Sequence, residues 1–253
     1  MIIIANKPAD IGALNSEYSE DSFEGNIINI LSSSEKEYRY DSIEQLKFEL
    51  MLRKEIVKAS IDLYNSRFEF RVFREAKCNP EYWELTSQGG FKLKDGVKAS
   101  DAINDIFINS SMYGTECATA MVIVYYKALL SIFPEDVFNE MFQKITLMNW
   151  HSIDKNLREI GATNEATDFL PGDRRYFINP DVDPLTPEWQ GENTIYLGNG
   201  LYYGHGIGVH KADVIIEELN KNRKEGSEQS AYLLDSVGRP NFKRLATLYY
   251  GNS

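Results

Sequence analysis

Disulfides, membrane spans and basic patches are all missing from this chain. Only two cysteines, Cys78 and Cys117, occur in 253 residues, too few for a disulfide framework. A chain of this length can bury a core without such staples. No apolar run approaches the roughly 20 residues that a membrane helix needs. The amino terminus, Met1-Ile2-Ile3-Ile4-Ala5-Asn6-Lys7-Pro8, lacks a basic segment, and its apolar stretch is too short for a secretory signal. The expectation is a protein made in the cytoplasm, in a reducing compartment. Cationic charge is also scarce: 27 Lys and Arg stand against 38 Asp and Glu, a net charge of −11. Nucleic acid rewards clustered Lys and Arg, so it is not an expected partner. Cationic groups such as lysine side chains would be attracted. No EF-hand loop, CxxC or HExxH pattern occurs, so neither metal nor cofactor is expected. Repeats and low-complexity tracts are absent as well.

The rest is ordinary globular composition, 43% hydrophobic and 26% charged, and reads as a single domain over 1–253. Residues 9–40 are acidic and Ser-rich around one apolar patch, Ile27 to Leu31, and read as part of a poorly patterned extension, 1–40. A long helix follows to about residue 65, with Asp41 as its cap and Glu44 completing a capping box. Phe68 to Val72 alternates as a strand, and Tyr82–Leu85 with Phe91–Leu93 reads as a hairpin. Ser100 is expected to cap a short helix. A helix from Cys117 to about Ser131 is apolar nearly all round and should be central and buried. Pro134 opens another helix. Residues 152–170 show no period, as a functional or mobile loop would.

The second half turns to strands. Thr194–Leu197 and Leu201–Tyr203 flank Asn199-Gly200, the strongest short-range hairpin signal. A helix over 213–224, a strand at Ala231–Leu234 and a final helix from Pro240 complete an α+β layout.

Cys117 is the chemical focus. It stands in Gly114-Thr115-Glu116-Cys117-Ala118-Thr119-Ala120, with Thr115 as the expected N-cap and Gly114 as the hinge. A thiol in the first turn of a helix feels the positive end of the dipole, and free N–H groups of that turn can hold an oxyanion. The blander reading is a small buried hydrophobe. A nucleophilic thiol needs a proton acceptor. There are three histidines, and His205, in Tyr203-Gly204-His205-Gly206, is the best placed. His151 follows Trp150, and His210 looks like surface. The carboxylates of Glu116, Asp173 and Glu192 are alternatives. In a papain-type hydrolase the Cys helix packs on a sheet that supplies the partner. Glu192 and His205 flank one tight hairpin, so either could face the sulfur. On intrinsic pKa alone His205 ranks above Glu192.

Five motifs, taken together and in order, resemble the small transglutaminases of spore-forming bacilli. They are Thr115-Glu116-Cys117-Ala118-Thr119-Ala120, Gly172-Asp173 with Tyr176 to Pro180, Gly191-Glu192-Asn193, Gly204-His205-Gly206 and Ser230 to Leu234. The resemblance implies a papain-like core of the NlpC cysteine-hydrolase type. It implies a protein-glutamine γ-glutamyltransferase that cross-links spore-coat proteins through glutamine and lysine side chains without calcium. It makes Cys117 the nucleophile and Glu192, helped by Glu116, the acid–base group, with His205 reduced to a secondary pocket role. That order reverses the ranking from pKa.

Two carboxyls near one thiol would titrate as a coupled set and oppose thiolate, so a sluggish nucleophile is expected. Water competes for a thioester, so a dry passage favours transfer. Trp150, Trp189, Tyr202 and Tyr203 are candidate walls, with core packing as the alternative for each. A monomer is expected. Two rival functions are a cysteine amidase or peptidase using water, and a non-enzymatic coat protein.

Overall fold

The computed structural model describes residues 1–251, so the last two positions of the expected domain lie outside the described residues. The first forty residues are folded, contrary to the reading as a poorly patterned extension. They form β1 (Ile2–Ile4), β2 (Lys7–Pro8), α1 (Ile11–Glu17), α2 (Phe23–Ser33) and β3 (Tyr38–Tyr40). β1 pairs antiparallel with β2 and parallel with β3. The polar residues that suggested disorder are caps: Asp10 accepts from Ala13 N and Ser22 from Gly25 N. Ile2, Leu14, Ile27, Ile28 and Leu31 are buried together with Tyr40, Leu46, Leu50 and Leu170. Each such aliphatic side chain contributes roughly 1.5–3 kcal/mol on burial.

The long helix α3 runs Ile43–Tyr64. Its cap is Ser42, one residue later than expected, with Gln45 returning a bond to the Asp41 amide. The capping box is present but shifted by one position. Short strands β4 (Glu69–Phe70), β5 (Trp83–Leu85) and β6 (Phe91–Leu93) follow, the last two as the predicted hairpin. α4 (Ala99–Ile108) has no side-chain cap, and Ser100 lies in its first turn. β7 (Gly114–Thr115) pairs in parallel with β4 and delivers the chain to α5 (Cys117–Ile132).

α5 is the predicted central helix, buried from Ala118 through Tyr126. It packs against α3 on one side and the main sheet on the other. It stops at Phe133, whose extended backbone suits the position before Pro134. α6 (Glu135–Met141) and β8 (Thr146–Leu147) come next. The irregular 152–170 segment contains one 3₁₀ turn, Arg158–Gly161, and β9 (Asn164–Glu165). It is anchored by Leu157, Ile160 and Leu170, all fully buried.

The main sheet holds β10 (Arg174–Ile178), β11 (Gly191–Gly198), β12 (Leu201–Gly204), β13 (Gly208–Lys211) and β14 (Tyr232–Leu233). The spatial order is β13-β12-β11-β10-β14, with every pair antiparallel. β11 is the middle strand. The β11–β12 turn is as predicted: Asn199 and Gly200 sit at φ of 52° and 73°, the left-handed values a tight hairpin requires. α7 (Ala212–Asn220), β15 (Ser236–Val237) and α8 (Phe242–Gly251) close the chain, with β15 pairing to β9. His210 belongs to β13 and precedes α7.

Candidate active site

The residue that starts α5 is Cys117, and the cap is Glu116, one residue after the expected Thr115. The Glu116 carboxyl accepts from Ala118 N at 2.5 Å, from Thr119 N at 2.8 Å and from Thr119 Oγ1. Two consequences follow. Of the first-turn N–H groups expected to be free for an oxyanion, those of Ala118 and Thr119 are occupied by Glu116. The carboxyl also places negative charge at the positive end of the helix dipole, which weakens the help that end gives a thiolate.

Cys117 lines a cavity of about 710 Å³ together with Phe70, Trp150, Tyr176, Gln190 and Asn193. Glu192, from the middle strand, is 5% exposed. Gly204 on β12 gives it room: a Cβ there would come within 2.9 Å of Glu192 Oε1. Oε1 has no hydrogen-bond partner at ordinary length. From slightly greater range the thiol of Cys117 and the backbone N–H of His205 favour the ionised carboxylate. Burial and the neighbouring Glu116 outweigh them and push Glu192 well above the usual carboxylate range. Burial likewise raises Glu116, against the pull of its three hydrogen bonds. Burial, then Glu192, then Glu116 push the Cys117 thiol up. The three groups thus share protons as a set, and the resting thiol is neutral.

The sulfur also accepts from Asn193 Nδ2 at 3.6 Å. Asn193 Oδ1 accepts from Arg174 Nη1 at 3.1 Å. Arg174 is fastened by its other nitrogens to the carbonyls of Ile160, at 2.9 Å, and Ala162, at 3.2 Å. Its guanidinium lies over the Trp150 ring, 4.4 Å from the centroid. The 152–170 segment therefore serves as the bracket for Arg174. Tyr176 reaches the same pocket, its phenol pushed up to about 12 by burial, then Cys117 and Glu192. Sequence reasoning passed over Arg174, Tyr176 and Asn193 as site residues. One signal was available: two adjacent arginines in a strand that is otherwise apolar demand buried partners.

The other candidates sit elsewhere. Asp173 is fully buried in an ion-pair network, 2.8 Å from Arg53 and 2.7 Å from Arg239. His151 is exposed. The His205 ring is buried beside Phe68, within 3.2 Å of both the Tyr203 hydroxyl and the Glu69 carbonyl. A neutral ring donating from Nε2 and accepting at Nδ1 satisfies both contacts. Burial pushes its pKa down to about 4. Its backbone N–H, not its imidazole, faces Glu192. Of the four candidate wall aromatics, Trp150 lines the cavity. Trp189 packs in the smaller cluster beside Phe177, as does Tyr202, and Tyr203 is in the main core. For those three, core packing prevails.

A pH prediction follows from His205. The folded ring takes a proton at about 4, and the unfolded one near 6.5. This contribution to stability is complete above the unfolded value and is lost as pH falls through the folded one. It amounts to at most about 3 kcal/mol. Urea titrations at pH 7 and pH 4.5 should show a smaller acid loss in His205→Gln than in the wild type. Equal losses would refute the neutral buried ring.

A family model described as protein-glutamine gamma-glutamyltransferase matches residues 1–249. A protein-glutamine gamma-glutamyltransferase of Bacillus cereus strain B4264 is 46% identical over 213 residues, spanning 84% of this chain and 76% of the relative. One from Bacillus mycoides strain KBAB4 matches at the same identity and coverage. The solved transglutaminase from Geobacillus stearothermophilus, without its C-terminal extension, superposes with a TM-score of 0.78 at 51% identity. That match covers 82% of this chain and 98% of the other. The α+β architecture is accordingly the papain-like one.

Proposed function

Because the chain belongs to the protein-glutamine γ-glutamyltransferase family, we propose that Cys117 is its nucleophile and Glu192 the group that moves the proton. It is a transferase acting on glutamine- and lysine-bearing proteins. One observation supports the assignment best: the Glu192 carboxyl, from the middle strand, meets the thiol at the start of the buried helix. Both groups hold their protons more tightly than in water, so one proton can pass between them near neutrality.

In the first half-reaction, Cys117 Sγ attacks the carbonyl carbon (Cδ) of a glutamine γ-carboxamide. The S–H proton passes to Glu192, and the C=O π pair moves onto oxygen. Collapse expels ammonia, which takes the proton from Glu192 and leaves a thioester. In the second half-reaction, a lysine ammonium loses a proton to Glu192 and its amine attacks the thioester carbon. The C–S bond breaks as an isopeptide forms, the second nitrogen proton returns the sulfur to the thiol, and Glu192 releases its proton to solvent. Glu116 is tied down by three hydrogen bonds, so its part is to raise Glu192. Trp150 forms a wall of the passage.

On this reading the chain works as one catalytic domain and a monomer, requires no calcium, and takes spore-coat proteins as its substrates. Support for the coat assignment comes from the Bacillus relatives. The test is partition of the acyl group. A glutamine peptide with a primary amine should yield amide product, monitored by mass, and rising amine should suppress hydrolysis. Hydrolysis that amine cannot divert would instead indicate an amidase.

A further inference from the structure

The active-site thiol faces a problem that the Glu192 assignment does not solve. Two carboxyls and burial of the thiol oppose its ionisation, and two of the helix N–H groups that might offset them, those of Ala118 and Thr119, are bonded to Glu116. A donor aimed at the sulfur is needed, and Asn193 supplies two, its backbone N–H and, at 3.6 Å, its side-chain Nδ2, of which only the second depends on the side chain. A primary amide has two ends, and an unconstrained Asn could turn its oxygen to the thiol instead. Arginine has donors only. With Arg174 Nη1 on Asn193 Oδ1 at 3.1 Å, only the N–H₂ end is left for the sulfur. Arg174 cannot follow a flipped amide, because Ile160, Ala162 and the Trp150 face hold it.

We propose that Asn193 is a catalytic donor to the Cys117 sulfur, and that Arg174 is the positioning residue that keeps the donor end of its amide on that atom. The inference rests on Cys117 being the nucleophile. When the S–H proton moves to Glu192, the Nδ2–H bond strengthens on the new thiolate. Arg174 polarises the amide, so part of its positive charge is felt at sulfur without an ion pair. Four charged or titratable groups then surround the thiol. Glu116 and Glu192 oppose ionisation, the Tyr176 phenol stays neutral, and Arg174 favours ionisation through Asn193.

The test is the pH profile of Cys117 alkylation by iodoacetamide, read on the Cys117 peptide by mass. In Asn193→Ala the profile should move to higher pH. The rate at pH 7.5 should fall roughly 10–100-fold, the range for losing one hydrogen bond to a charged atom. Asn193→Asp keeps the shape but turns an oxygen toward the sulfur, so it should be slower still. Arg174→Met should move the profile the same way. Combined with Asn193→Ala it should be no slower than the slower single variant, because the two act in series. In amine incorporation, both positions should lower kcat more than they raise KM. A wild-type profile in Asn193→Asp, or in Asn193→Ala, overturns the proposal, as does additivity in the double variant. Arg174 is buried, and if Arg174→Met fails to melt cooperatively, the two Asn193 variants decide the matter. Cys117→Ala separates the levels: activity surviving there refutes the nucleophile, whatever the alkylation profiles show.

Discussion

Replacing Cys117 by alanine is expected to abolish incorporation of a fluorescent primary amine into a glutamine substrate, down to the uncatalysed background. A thioester cannot form without the sulfur, and among the described residues no second thiol stands beside Glu192. Cys78 is half-buried, with its thiol pushed up to about 11 by burial, and it does not line the cavity. The fold should survive, since the helix is held by its apolar length and by Glu116, none of which the change touches. Cooperative melting close to that of the wild type, with no activity, is the expected pair of results. Activity retained with the fold intact would reduce Cys117 to a packing residue and refute the thioester mechanism.

The second large effect is expected at Glu192. The Glu192→Gln change keeps the shape but cannot take a proton, and should lower kcat/KM roughly 10²–10⁴-fold. The same change removes the second-largest cause that holds the Cys117 thiol protonated. Iodoacetamide should therefore modify Cys117 faster in the variant while acyl transfer becomes slower. A loosened fold would also expose the thiol and speed alkylation, so the opposite signs are diagnostic when the variant melts cooperatively at the wild-type temperature. A loss of transfer below tenfold would shift the proton to Glu116. His205→Ala should cost less activity than Glu192→Gln, because the imidazole is directed at Tyr203 and Glu69 and only its backbone amide faces Glu192. The reverse order would reinstate a Cys–His mechanism.

The intrinsic pKa of histidine favours His205, whereas the geometry favours the proposed Glu192. The pKa ranking holds in water, where imidazole is the best-matched base near neutrality. Inside this sheet the ordering inverts. Burial drives the imidazole down to about 4 and lifts the carboxyls, because low dielectric penalises whichever form is charged. Glu192 and His205, one strand apart, are thus shifted in opposite directions.

Caps were misplaced for a related reason. Asp41, Thr115 and Ser100 are all good capping types, but the helices begin at positions set by packing. The caps are Ser42, Glu116 and, for α4, no side chain at all. Propensity locates a helix start only to within a residue or two. At Cys117 that single residue matters, because it makes Glu116 the cap and takes the Ala118 and Thr119 N–H groups from the expected oxyanion site.

What the chain alone determined was periodic and local. The apolar run after Cys117 could only be a buried helix, Asn199-Gly200 could only be a tight turn, and the order of helices before strands required an α+β fold. These follow from side-chain period and backbone sterics, which neighbours in sequence decide. Tertiary structure settled which groups share the thiol's surroundings. It drew Arg174, Asn193 and the 160–162 carbonyls into one chain of hydrogen bonds, sent Asp173 to Arg53 and Arg239, and buried the His205 ring away from the sulfur. Burial and charge at a point depend on everything packed around it, and residues far apart in sequence supply most of that surrounding.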